Sequence, residues 1–77
     1  MVDLSALAAS TNKVVQLEFF DGHIVRARLI AVDLDEPREI IYDILEVVAQ
    51  GPADLAGVKA GIVATAHPSL LRTFRVL

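Results

Sequence analysis

Cysteine is absent from this chain, which excludes a disulfide framework and any thiolate metal site. No apolar run approaches the ~18 residues of a membrane span, so no membrane partner is expected. The start lacks the basic-then-apolar order of a secretory signal, since Asp3 precedes the first basic side chain, Lys13. A cytoplasmic protein is the expectation. Positive charge is also short. The net charge is −3 and the isoelectric point near 5.1, so no global field draws the chain to polyphosphate. DNA is not an expected partner, and any contact with RNA would have to be local.

Catalytic patterns are missing as well. No glycine-rich phosphate loop occurs, and Ser5, Ser10 and Ser69 lack a His-plus-acid pattern. His23 and His67 lie far apart with no zinc-ligand spacing. A non-enzymatic protein without metal or cofactor is expected. Asp33, Asp35, Glu36 and Glu39 bunch their carboxylates as hard cations require, but without the spacing or central glycine of a calcium loop. They read as a solvated acidic turn.

What is present is apolar surface. Hydrophobic residues make up 55% of the 77 even with glycine left out, above the roughly 45–50% of ordinary soluble domains with glycine counted. One domain spanning residues 1–77 is all that this length supplies, and so short a chain buries only around 60% of its unfolded surface. Self-association is the usual way to hide such a surplus.

Asp21 and Gly22 divide two segments of period-two apolar spacing, residues 13–20 and 23–33, a strong β-hairpin signal. Val15, Leu17 and Phe19 should face inward, together with Val25, Ala27, Leu29 and Ala31, because Arg26 and Arg28 must reach water. A two-residue Asp-Gly turn would set Leu17 opposite Arg26. A three-residue loop, Phe20-Asp21-Gly22, sets Leu17 opposite Val25 and Phe19 opposite His23 instead. Gly22 then occupies the left-handed position that ends such a loop, and His23 reads as an exposed turn residue.

The remaining elements follow from local signals. Asp3 is a good N-cap for a short helix over residues 2–10, with Leu4, Leu7 and Ala8 at helical spacing. Pro37 pulls Glu36 out of helical geometry and marks a turn. Residues 39–48 fit a strand by β-branched content and a helix by spacing; the short turn after a hairpin favours the strand. Asp43 and Glu46 would then fall on opposite faces unless the strand is bulged, and a cross-strand pair with Arg26 or Arg28 accounts for them. Tyr42 reads as a core or interface aromatic. Gly51, Pro52 and Gly57 make residues 50–60 a loop, with one helical turn at 53–56. A fourth strand over 62–67, a single 3₁₀ turn over 68–71 and a fifth strand over 72–77 complete a mainly all-β chain.

This order resembles the Sm-like small β-barrel. The segment from Val14 to Gly22 resembles that family's first strand and glycine turn. The segment from Arg26 to Asp33 is similar to its second strand, Leu29 and Asp33 matching and Ala27 standing where the family usually has glycine. Other SH3-like barrels open on a comparable hairpin. Either way the expected fold is a five-stranded, strongly bent antiparallel SH3-like or Sm-like barrel with a short N-terminal helix. In the Sm-like family a base-stacking aromatic or histidine lies two residues after the aspartate, and a base-reading asparagine four after it. Here Asp35 and Pro37 hold those positions. A carboxylate repels phosphate and proline offers no side-chain hydrogen bond. Of the Tyr-Lys-His motif of the bacterial RNA-chaperone branch, Thr65-Ala66-His67 keeps the histidine alone.

Two functions are therefore open. One is an oligomeric interaction module that has lost base reading. The other is a ring binding short single-stranded RNA through Arg38, His67 and Arg72. His67 also reads, more plainly, as a cap on the 3₁₀ turn. An open barrel of this kind leaves its fourth and fifth strands unpaired. Joining them head to tail, with Ile62, Val63, Ala64, Phe74 and Val76 at the contact, predicts a homo-oligomeric ring.

Overall fold

In the computed structural model, residues 2–50 and 58–77 are described. A short helix α1 (Leu4–Ala8) is followed by strands β1 (Val14–Phe19), β2 (Ile24–Asp33), β3 (Glu39–Ala49) and β4 (Val63–Ala66). A 3₁₀ turn (Pro68–Leu70) then leads into β5 (Leu71–Val76). All five strands form one antiparallel sheet in the order β4-β3-β2-β1-β5. The expected small all-β fold with its short helix is what the chain adopts. Of the loop expected over 50–60, residues 50 and 58–60 lie outside helix and strand, while residues 51–57, with the helical turn expected at 53–56, fall outside the described residues.

Local chemistry sets each end. The Asp3 carboxylate accepts from the backbone N–H groups of Ser5 (3.0 Å) and Ala6 (3.2 Å), satisfying two donors that the first turn cannot pair. The helix is shorter than the expected 2–10. The Ser10 and Thr11 hydroxyls bond back to the carbonyls of Ala6 and Ala8, and Asn12 takes a left-handed φ of 69°. That conformation, tolerable for asparagine, turns the chain so that the Asn12 N–H reaches the Leu29 carbonyl at 2.6 Å. Leu7 alone within the helix is fully buried, and α1 packs against β2.

The hairpin register is the apolar-opposite-apolar one, with Val15 opposite Ala27 and Leu17 opposite Val25. Gly22 donates to the Phe19 carbonyl at 3.0 Å and has φ of 96°, so the loop is the three-residue type that its glycine demands. Inward positions Val15, Leu17, Val25, Ala27 and Leu29 are fully buried. Ala31 departs from its expected inward place and is half-buried. The β2–β3 register shifts between Leu29 and Ala31, and the extra residue, Ile30, breaks the alternation there.

Three such shifts interrupt the β2–β3 pairing, and each unpaired residue increases local bend and twist. The one between Arg26 and Ala27 leaves Leu45 unopposed, because Arg26 faces Glu46 while Ala27 faces Ile44. Asp43 and Glu46, three residues apart, would otherwise point to opposite faces. The bulge puts both outside, where Glu46 meets Arg26 at 2.9 Å and Asp43 meets Arg28 at 3.6 Å. Inside, Ile40, Tyr42 and Ile44 join the β1 and β2 side chains, Leu7 and Leu71 in one apolar core.

Candidate interaction surface

The sheet order puts β4 and β5 at its two edges. Each pairs on one side, β4 with β3 and β5 with β1. Backbone donors and acceptors on the other side are a template for another strand. Large apolar side chains are exposed at both, one on β4 and several around β5: Val63 on β4 is 60% exposed, while Leu70, Val76 and Leu77 around β5 are 47–55% exposed. Phe20, 65% exposed at the hairpin tip, donates its N–H to the Leu70 carbonyl at 3.0 Å.

The interface residues expected from sequence divide by face. On β5, Phe74 lies opposite Leu17 and Val76 opposite Val15, so both stand on the core side of the sheet. Burial nevertheless declines along that side, from Leu71 at 0% through half-buried Phe74 to Val76 at 47%. On β4, Ala64 lies opposite Tyr42 and Ala66 opposite Ile40, again on the core side, whereas Val63 and Thr65 face outward. Ile62, Ala64, Ala66 and Phe74 pack against the core without being enclosed by it. The core thus reaches the surface at both edges, through bulky side chains at β5 and through methyl groups at two of the β4 positions. A shallow groove of about 230 Å³ lies where β1 pairs with β5, lined by Gln16, Glu18, Thr73, Phe74 and Arg75.

The three residues considered for RNA fare differently. Arg38 precedes β3 and His67 follows β4, and the pairing of Ile40 with Ala66 brings both to one end of that strand pair. Arg72 sits at the opposite edge of the sheet, in the irregular stretch facing Glu18 and Phe19. Arg38 leans on Glu36 with Nε 3.4 Å from its carboxylate, and that nitrogen is buried without a hydrogen bond. The His67 Nδ1 accepts from the Ser69 N–H at 3.1 Å and lies 2.8 Å from the Ser69 hydroxyl, so the ring caps the 3₁₀ turn. That Ser–His contact was not visible in the sequence, and among the described residues no carboxylate pairs with the His67 ring. Asp35 and Pro37 are exposed beside Arg38. The Asp33 carboxylate accepts from the Asp35 N–H at 3.0 Å, and among the described residues no three His, Asp or Glu side chains converge as for a metal.

His23 corrects the reading from sequence. Expected to be an exposed turn residue, it is only 8% exposed. Its ring stacks on Phe19 with centroids 4.0 Å apart and planes 7° from parallel, and its Nδ1 meets the Asp21 carboxylate, which also accepts the His23 backbone N–H at 2.9 Å. The three-residue loop sets His23 opposite Phe19, and a flat aromatic ring covers the end of the core better there than water does. The backbone N–H of His23, and after it the ring, hold the Asp21 carboxyl below its usual value. Tyr42 packs tilted against Phe19 at 6.1 Å, and burial, together with the Asp21 charge, pushes its phenol up.

Comparison with protein-family models finds no match, and comparison with curated proteins finds no relative. Among the described residues no helix is long and apolar enough to cross a membrane. The functional reading therefore rests on the geometry of this chain.

Proposed function

We propose that this chain is a non-enzymatic interaction module of the Sm-like type, which assembles head to tail into a homo-oligomeric ring by pairing β4 of one copy with β5 of the next. The observation that carries this reading is the sheet order, with β4 and β5 at the two edges, Val63 exposed on the first and Leu70, Val76 and Leu77 exposed around the second. A contact between unlike edges is heterologous, and it closes into a ring or runs on as a filament. The pairing satisfies both rows of backbone groups and covers Val63, Phe74 and Val76 at once.

The ring binds single-stranded RNA weakly or not at all. Arg38 is engaged by Glu36, His67 by Ser69, and Asp35 and Pro37 stand where a base would stack and be read. Light scattering on the eluting protein tests the assembly; a stable monomer at micromolar concentration overturns it. Fluorescence anisotropy with U-rich and A-rich oligonucleotides at low and physiological salt tests the second part. Submicromolar affinity at physiological salt, lost in His67→Ala, would replace the interaction module by an RNA-binding ring.

A further inference from the structure

The outward face of the sheet arranges its side chains in rows that cross the strands, and one such row reaches the β4 edge. Val14 lies opposite Arg28, Arg28 opposite Asp43, and Asp43 opposite Val63 of β4, where the sheet ends. The Arg28 guanidinium stands 3.6 Å from the Asp43 carboxylate, beyond hydrogen-bond distance. It is the one ion pair that the partly exposed Asp43 makes among the described residues. At the other edge Arg75, opposite Gln16 and so on the same outward face, is exposed. Glu18 lines a groove with it, yet among the described residues Arg75 has no ion pair. A loosely held carboxylate therefore stands one strand behind one edge, and a cation without a carboxylate stands on the other.

We propose that this charge pair fixes the register of the seam: Arg75 of one copy lies opposite Val63 of the next and reaches across it to Asp43. The inference rests on the head-to-tail reading above and adds which residues of the two edges meet. Every strand pair in this sheet is antiparallel, and the seam continues that pattern. On β4, Ala64 and Ala66 face the core while Val63 and Thr65 face out. On β5, Phe74 and Val76 face the core while Thr73 and Arg75 face out. A slip of one residue would turn the apolar sets to opposite faces, so the alignments open to the seam differ by steps of two. Two of them set Phe74 opposite a residue of β4. With Phe74 opposite Ala66, Arg75 falls opposite Thr65, and behind Thr65 stands Ile41, which has no charge to offer. With Phe74 opposite Ala64, Arg75 falls opposite Val63, and behind Val63 stands Asp43. Both alignments bring Phe74 and Val76 onto apolar neighbours, so charge decides between them. Adjacent strands lie about 4.8 Å apart, which separates Arg75 from Asp43 by about 10 Å of sheet. The arginine spans that gap by laying its apolar stem on Val63 and carrying only its head to the carboxylate.

Because the chain contains no cysteine, engineered thiols read the register directly. Thr65→Cys/Thr73→Cys sets two thiols opposite each other across the proposed seam, and His67→Cys/Thr73→Cys does so in the other alignment. Mild oxidation should turn the first into a ladder of covalent oligomers on a non-reducing gel and leave the second uncrosslinked, since a disulfide tolerates little separation. Sedimentation at a series of concentrations then follows wild type, Arg75→Met, Asp43→Asn and the double variant, with circular dichroism melts to check folding. Each single substitution should raise the dissociation constant of the oligomer roughly two- to fivefold, the range of an exposed pair. The double variant should assemble no worse than the weaker single one. Added salt should weaken wild type more than Arg75→Met. Should Asp43→Asn unfold by leaving Arg28 unmatched, the crosslinks and the salt series on Arg75→Met decide alone. A monomeric wild type sinks the ring reading and this register with it. A wild-type oligomer that crosslinks through His67→Cys/Thr73→Cys instead, or that folded Arg75→Met leaves at full strength at low salt, sinks the register and leaves the ring standing.

Discussion

The β2–β3 pair and the two edge strands treat their exposed polar groups in opposite ways. Along β2 and β3 the outward charges are matched within the chain, Arg26 with Glu46 and Arg28 with Asp43, and the bulge at Leu45 makes both matches possible. Along β4 and β5 nothing comparable occurs. Among the described residues Arg72 and Arg75 have no ion pair, and each of the two strands has one flank with no strand beside it. The central strands are finished by the chain itself, whereas β4 and β5 keep a flank with no strand beside it among the described residues. That difference separates the fold this sequence specifies from the assembly proposed above.

The largest expected effect probes the division directly. Leu17 is fully buried on β1, between the β2 and β5 neighbours Val25 and Phe74. Leu17→Ala should cost about 2–5 kcal/mol in urea denaturation, combining lost transfer energy with a cavity. Val63→Lys, on the outer face of β4 at 60% exposure, should change the stability of the isolated barrel by under about 0.5 kcal/mol yet block assembly, since an edge lysine resists strand addition. A Val63→Lys barrel destabilised as much as Leu17→Ala would erase the distinction between centre and edge.

Next in size is the hairpin. Gly22 has φ of 96°, and Gly22→Ala should cost about 1 kcal/mol by forcing a side chain into left-handed geometry. A thermal melt unchanged within error would mean the loop relaxes to another turn, with a register that no longer pairs Leu17 with Val25. The same corner carries the acid response. Because the folded Asp21 carboxyl is held below its usual 3.8, its contribution is complete above that value and is lost as pH falls through the lower folded one. The raised Tyr42 phenol behaves conversely: its contribution is complete below about pH 10 and is lost as pH climbs past it. Melting temperature followed against pH in Asp21→Asn should therefore fall less on the acid side than in wild type. Equal acid sensitivity of the two chains would assign the effect to other carboxylates.

The hairpin and the β2–β3 turn were legible because apolar alternation, Gly22 and Pro37 agree on them. Even the bulge was readable as a condition, since Asp43 and Glu46 cannot otherwise both reach water. Ala31 was misplaced for the complementary reason: no charge near Ile30 marks the irregularity, so the alternation was carried one residue too far. His23 was misread because a histidine next to an Asp-Gly turn carries no sign of burial. Only the three-dimensional stack on Phe19 decides it. Around Arg38, His67 and Arg72 the residue types were right for a polyanion site, but chain order cannot reveal that Glu36 and Ser69 reach the first two and that Arg72 lies at the other edge of the sheet.

The smallest effect asks whether the matched charges of the central strands stabilise the fold or only keep it from pairing elsewhere. Arg26 and Glu46 are 2.9 Å apart with side chains 48% and 56% exposed, so solvent screens their attraction and the coupling should lie between about 0.2 and 1 kcal/mol. A double-mutant cycle through Arg26→Ala and Glu46→Ala, read by denaturation at low and high salt, isolates that term. Coupling that fades with salt fits an exposed pair. Coupling well above 1 kcal/mol and indifferent to salt would mean the pair fixes the bulge at Leu45, and with it the positions of Ala27 and Ile44 in the core. The outward charges would then belong to the architecture of the sheet, and the contrast with the unmatched arginines of β5 would be one of structure as well as of surface.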